Sequence, residues 1–330
     1  MKNKTEGLSE LEKATHSFRQ QISKQKELYE TRLKEKEETI RKLLEQIQGQ
    51  GIEHRMDGSV AYNPNSTEEV KYSDVTEFMK MKYDIRYFGK YILKNVFNYD
   101  IWNFQCDWLD AFKENKFTAI NAFRQSGKSL MCCIMILWEA IFVTHSVNCI
   151  IGIKNDNCKL YRAEITKIID YLVNRRFIGI VRNTENLIEL DNGSKITFIS
   201  EKKIKPAVKG FAPNLTVCDE FAFWENQEVF MQSTFPVISG NANSKLVIMS
   251  MPNGYNHFRE IMTYGKPDII KRITTTVSDA DDLEKWKETV QKMIYLWPIN
   301  IVRQEYYCEF IGPEDPGAKV VIGKDIYYLK

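Results

Sequence analysis

Short, unbroken apolar runs alternate with longer stretches of helical period through the middle of this chain, and the two lengths separate strands from helices. Lys116-Phe-Thr-Ala-Ile-Asn121, Val147-Asn-Cys-Ile-Ile-Gly-Ile153, Leu215-Thr-Val-Cys-Asp219, Leu246-Val-Ile-Met-Ser250 and Ile269-Ile-Lys-Arg-Ile-Thr-Thr-Thr276 read as strands. Leu130-Met-Cys-Cys-Ile-Met-Ile-Leu-Trp138, the stretch from Asn157 to Val173 and the chain from Asp281 onward read as helices. Strands covered by helices on both faces stay apolar at every position, so the alternation predicts an α/β fold with a doubly wound, mostly parallel sheet. Leu187-Ile-Glu-Leu190 and Lys195-Ile-Thr-Phe-Ile199 flank Asp191-Asn-Gly-Ser194. That pattern predicts a hairpin and an antiparallel sheet edge.

The first fifty residues follow a different rule. Leu11, Thr15, Phe18, Ile22, Gln25, Tyr29, Leu33, Lys36, Ile40, Leu43 and Ile47 step by threes and fours, with dense Lys and Glu between them. This spacing predicts one long helix in a coiled coil; Gln25 and Lys36 weaken the seam, so a solvated single helix stays open. Gly49 and Gly51 end it, and Asp57 to Thr67, with Gly58, Asn63, Pro64 and Asn65, reads as linker. The expected organisation is a helix over 1–50, a linker over 51–75, a core domain over 76–312 and an exit segment over 313–330.

Between the first strand and its helix lies Ala122-Phe-Arg-Gln-Ser-Gly-Lys-Ser129. A Gly-Lys-Ser that leaves an apolar strand and opens an apolar helix is the phosphate-gripping turn of a nucleoside triphosphatase. Backbone N–H groups over Gln125, Ser126 and Gly127 and the positive helix N-terminus would hold phosphate, Lys128 would reach the terminal oxygens of ATP, and the Ser129 hydroxyl would ligate Mg²⁺. Ala122 stands where the usual pattern has its first Gly. The strand at Leu215 ends in two adjacent carboxylates, placed for Asp219 to bind Mg²⁺ and for Glu220 to act as general base toward the attacking water.

With these motifs in this order, the chain resembles the ATPase domain of the large terminase subunits of tailed bacteriophages, over roughly Tyr99 to Phe310. In that family an Arg commonly precedes the loop Gly by three positions, as Arg124 does; Lys209-Gly210 matches a basic residue and Gly ahead of the acidic strand; Ser250 matches a hydroxyl-rich turn before Pro252-Asn-Gly254, although Met249 and Met251 flank it; and Arg303-Gln-Glu-Tyr-Tyr-Cys-Glu-Phe310 resembles the closing segment. The resemblance implies a P-loop ATPase that uses ATP and Mg²⁺ to drive double-stranded DNA into a procapsid. It further implies a pentameric homo-oligomeric ring on the portal protein, a small terminase subunit as partner, and a host cytoplasmic setting. Arg124 would act on the γ-phosphate in cis or in trans or hold the loop by a salt bridge, Ser250 would couple hydrolysis to movement or cap its turn, and Gln105 in Trp102-Asn-Phe-Gln-Cys-Asp-Trp108 would read adenine unless this is simply a packed amphipathic helix.

Composition narrows the alternatives. A hydrophobic content of 43% over 330 residues supplies a sizeable core, while a net charge of +2 gives no bulk attraction to nucleic acid. Lys202, Lys203, Lys205 and Lys209 form a local basic run that would face DNA or phosphate, or water. The seven Cys include no Cys-x-x-Cys pair and the four His are scattered, which points to reduced thiols and away from a metal cluster. Glu139 interrupts the longest apolar run, so no membrane segment is expected. The sequence after Phe310 is too short for the family's nuclease domain, so nuclease activity is expected from elsewhere, whether the chain is a piece of a longer protein or the product of a split gene. A superfamily-2 helicase or other remodelling ATPase would need a second nucleotide-flanking domain after Ser250. A non-hydrolysing adaptor would be expected to lose Lys128 or Glu220.

Overall fold

A computed structural model describes residues 53–54, 60–61, 72–204, 213–312, 319–322 and 325–328. The expected coiled coil, Lys205, Lys209 and Gly210 lie outside these residues. The chain divides into two compact units, Met1–Thr76 and Glu77–Lys330. In the first, Glu53–His54 pairs with Val60–Ala61 in a small antiparallel ladder inside the stretch read as linker.

The second unit is built on one eight-stranded sheet. Its strands are β1 (Phe117–Ala122), β2 (Val147–Gly152), β3 (Ile180–Asn183), β4 (Leu187–Leu190), β5 (Lys195–Ser200), β6 (Leu215–Asp219), β7 (Lys245–Ser250) and β8 (Lys271–Thr275). They lie in the order β8-β1-β7-β6-β2-β5-β4-β3. The six strands from β8 to β5 are mutually parallel, and β4 and β3 extend the sheet antiparallel. The hairpin expected around Asp191-Asn-Gly-Ser194 is present as β4 and β5. The edge itself is β3, whose exposed Ile-Val-Arg-Asn carries no apolar period for sequence reading to find.

Eight helices of eight residues or more stand among the described residues: α1 (Tyr72–Tyr83), α2 (Ile85–Phe97), α3 (Asn103–Glu114), α4 (Lys128–Phe142), α5 (Asn155–Asn174), α6 (His257–Tyr264), α7 (Leu283–Leu296) and α8 (Ile299–Tyr307). α1 begins inside the expected linker. α4 is buried nearly throughout because it is covered on more than one side, which its almost uniformly apolar sequence requires. No helix among the described residues is long and apolar enough to cross a membrane. Beyond the sheet, Lys319–Ile322 pairs antiparallel with Asp325–Tyr328, within the stretch read as an exit segment.

Strand order decides where chemistry can occur. β7 lies between β1 and β6, with Asn121 opposite Ser250 and Met249 opposite Asp219. The carboxyl ends of β1, β7 and β6 therefore open side by side at one rim of the sheet. The chain leaves β1 through α4 and returns at β2, with β7 and β6 lying between the two strands, which creates the crevice in which α/β sheets bind ligands.

Candidate active site

The turn from Phe123 to Ser129 joins β1 to α4. Gly127 caps the helix with φ +83°, and a Cβ there would lie 2.7 Å from Gln105 Nε2. Glycine is needed both for the left-handed backbone and for the space. Gln125 also takes a positive φ of 63°, which curls the loop and turns its backbone. Ala122 is the last residue of β1, fully buried and outside the positive-φ set, so its methyl group is compatible with the loop. Lys128 is buried and bends back to donate to Phe123 O at 3.0 Å and Ala122 O at 3.4 Å. A buried ammonium held only by carbonyls is poised for an anion.

Across the crevice, Ser129 Oγ donates to Asp219 Oδ2 at 2.6 Å. Asp219 is fully buried at the tip of β6, and its Oδ1 accepts from Glu220 N at 3.0 Å. Tyr161, buried on α5, stands near the same carboxylate. Burial pushes the Asp219 carboxyl up, while Ser129, Lys128, Tyr161 and the Glu220 N–H work against that shift. Glu220 follows in the left-handed region at φ 52°, strain that a functional turn stores. Its carboxyl is raised by burial first and by the charge of Asp219 second, against Lys128 and Arg124, and Glu220 Oε2 is buried without a hydrogen-bond partner. Two hard oxygen donors at contact distance, beside a loop that accepts no Cβ, fit a magnesium-bound phosphate, with Ser129 and Asp219 to hold the ion.

Arg124 faces a protein partner. Its guanidinium meets Glu305 of α8 at 2.8 Å, its backbone N–H donates to Glu305 O at 2.7 Å, and Trp297 lies 5.9 Å below it. The structure thus contains the loop-holding salt bridge that the sequence left as an alternative to the γ-phosphate role. Gln105 faces the loop as well. Its Nε2 donates to Ser126 O at 2.9 Å and its Oε1 accepts from Trp102 N at 3.1 Å, so in this geometry its amide braces the phosphate loop. Ser126 is itself buried, with its Oγ unpartnered.

Ser250 at the end of β7 accepts from Ala222 N at 3.0 Å. Ala222 O in turn receives Gln227 Nε2 at 3.0 Å, Asn253 Nδ2 at 3.2 Å and Asn256 Nδ2 at 2.9 Å. Asn256 also caps α6 by accepting from Arg259 N. Ser250 therefore touches the turn that carries Glu220, and two asparagines tie the same turn to the next helix. Sequence reading gave no role to Tyr161, Ala222, Asn256 or Glu305. Gly152 was the available signal for Tyr161, because a glycine closing an apolar strand marks a close approach. In the basic run, Lys202 pairs with Glu225 at 3.6 Å.

Residues 119–321 match the family described as terminase large subunit, T4likevirus-type, N-terminal. Among solved structures, the chain is similar to the large terminase ATPase domain of Thermus phage P74-26, at 17% identity and a TM-score of 0.56, over 66% of this chain and 97% of that one. It is also similar to the large terminase of bacteriophage HK97, at 13% identity and a TM-score of 0.51, over 64% of this chain and 51% of that one. At these identities the two structures show a shared α/β fold.

Proposed function

The chain belongs to the T4likevirus-type terminase large subunit family, and from that premise we propose that it hydrolyses ATP to drive double-stranded DNA into a procapsid. The observation that carries the chemistry is the 2.6 Å contact between Ser129 and Asp219, with Glu220 next in the chain. In this reading the loop backbone grips the β-phosphate and Lys128 exchanges its two carbonyls for the β/γ oxygens. Magnesium held by Ser129 and Asp219 supplies charge neutralisation at the phosphates when bound. Glu220 takes the proton of the attacking water at its carboxylate. Its raised affinity for protons suits a base working near neutral pH. Arg124 leaves Glu305 to neutralise charge on the γ-phosphate, in its own subunit or across an interface.

Coupling follows from the Ala222 turn. A shift of Glu220 moves the Ala222 N–H against Ser250 and its carbonyl against Asn253 and Asn256, which passes the change to α6. The motor would work as a pentameric ring on the portal protein in the host cytoplasm, with the small terminase subunit as partner. Retention of both Lys128 and Glu220 supports hydrolysis over a non-hydrolysing adaptor. The test is ATP turnover with and without double-stranded DNA, alongside procapsid packaging. Turnover without any packaging by a competent assembly would contradict the motor role, and no turnover would contradict the ATPase.

A further inference from the structure

The peptide that joins Asp219 to Glu220 is held at both of its polar ends by side chains. Its N–H donates to Asp219 Oδ1 at 3.0 Å, and its carbonyl accepts from the indole Nε1 of Trp224 at 3.0 Å. A peptide is planar, so the orientation of this one sets the backbone angles on either side of it, the φ of Glu220 among them. That φ is 52°, in the left-handed region that a residue with a side chain resists. Such a conformation persists only where the surroundings fix it. Downstream, the chain closes a single 3₁₀ turn over Phe221–Phe223, with Phe223 N donating to Glu220 O at 3.0 Å and Trp224 N to Phe221 O at 3.1 Å. This turn returns Trp224 to the strand end, within reach of the carbonyl five residues before it.

Trp224 is itself fixed. It is 4% exposed, its ring centroid lies 4.9 Å from that of Phe221 and meets Phe230 edge-on at 5.7 Å, and its carbonyl accepts from Gln227 Nε2 at 3.3 Å. Phenylalanine could fill this core position, but it has no donor for the Asp219 carbonyl. We propose that Trp224 is a positioning residue for the general base: its indole N–H holds the Asp219-Glu220 peptide in the plane that keeps Glu220 left-handed, and so fixes where the Glu220 carboxylate stands relative to Asp219 and the phosphate loop. A reacting group misplaced by about 1 Å loses about 100-fold in rate. This inference rests on the reading of Glu220 as the base that activates water in ATP hydrolysis.

The test is single-turnover ATP hydrolysis by the full chain with Mg²⁺ and double-stranded DNA, beside fluorescent-ADP affinity and melting temperature. Trp224→Phe keeps an aromatic ring and removes the donor. Benzothienylalanine in place of Trp224 removes the donor at constant shape, and serves if the smaller ring impairs folding. The single-turnover rate should fall by about 100-fold in either variant, with ADP affinity retained because the loop from Phe123 to Ser129 is untouched. Ile238→Ala thins the same core and leaves the indole N–H in place; it should lower the melting temperature and keep the rate. An unchanged rate in the Trp224 variants overturns the inference. So does a loss of rate matched by an equal loss of ADP affinity, or reproduced by Ile238→Ala at the same loss of melting temperature, the mark of a packing role. A wild type that hydrolyses no ATP would overturn the proposed function and this inference with it, whereas a Trp224 variant as fast as a hydrolysing wild type removes this inference alone.

Discussion

Ser129 and Asp219 stand 90 residues apart in the chain and 2.6 Å apart in the fold, joined by a hydroxyl-to-carboxylate hydrogen bond at the rim of the sheet. The two halves of a magnesium site are thus brought together by strand order, since β6 and β1 are separated only by β7. The hydroxyl must exchange the carboxylate for the ion on binding, whereas the carboxylate brings a full negative charge to it. Asp219→Asn should therefore weaken Mg²⁺-dependent nucleotide binding more than Ser129→Ala does. Isothermal titration of ADP at fixed Mg²⁺ checks the order.

Lys128 is buried with only backbone carbonyls as partners. Its replacement by Ala removes the positive charge aimed at the phosphates and should abolish hydrolysis, because phosphoryl transfer depends on charge neutralisation. Steady-state phosphate release measures this, and residual turnover above a tenth of wild type would contradict the assignment.

Glu220 gives a pH signature. Burial and the neighbouring Asp219 charge both favour its protonated form, so its carboxyl titrates above the ordinary glutamate range. A protonated base cannot accept a proton, so single-turnover hydrolysis should rise with pH through a window above that range. The same raised affinity stabilises the fold at low pH and is lost as pH rises through the folded-state value. Glu220→Gln should accordingly melt no lower than wild type at alkaline pH. A rate profile already flat from pH 5 upward would count against the base.

Arg124 can be assigned by magnitudes. Its ion pair with Glu305 leaves the guanidinium about half exposed, and such pairs contribute roughly 0–1 kcal/mol to stability. An Arg acting on transferring phosphate is worth about 10³- to 10⁵-fold in rate. Arg124→Ala should lose turnover on that scale with little change in melting temperature, while Glu305→Gln should keep turnover. Loss of melting temperature with turnover intact would leave Arg124 as an anchor of the loop.

Ser250→Ala removes the acceptor of the buried Ala222 N–H, at a cost of about 1–3 kcal/mol. Nucleotide binding and some hydrolysis should survive, since neither phosphate nor metal contacts are touched. DNA packaged per ATP in a reconstituted motor should fall. A normal ratio would leave Ser250 as a cap for its turn.

The elements that position the site were legible because parallel strands covered on both faces leave unbroken apolar runs, as in Leu215-Thr-Val-Cys-Asp219, and because Gly127 marks a turn that other residues resist. What escaped sequence reading is long-range or polar. Tyr161 packs close over Gly152, where no side chain stands in its way, and Glu305 reaches Arg124 across 181 residues. β3 is exposed and pairs only at the edge, so it carries no alternation to betray it. The pairing of Lys319–Ile322 with Asp325–Tyr328 did have a signal, two short apolar runs separated by a glycine-containing pair, which the turn-rich sequence before it obscured. Gln105 was found as a residue of interest, but its amide turns onto the loop backbone, which spacing alone does not encode.

The most direct test of the account is the rate of Mg²⁺-dependent ATP hydrolysis by the full chain, measured with double-stranded DNA for wild type and Glu220→Gln alongside fluorescent-nucleotide binding by each. The account predicts turnover by the wild type, and nucleotide binding at near wild-type affinity without turnover by Glu220→Gln. Turnover by Glu220→Gln close to the wild-type rate, or none by a wild type that binds nucleotide, would contradict it.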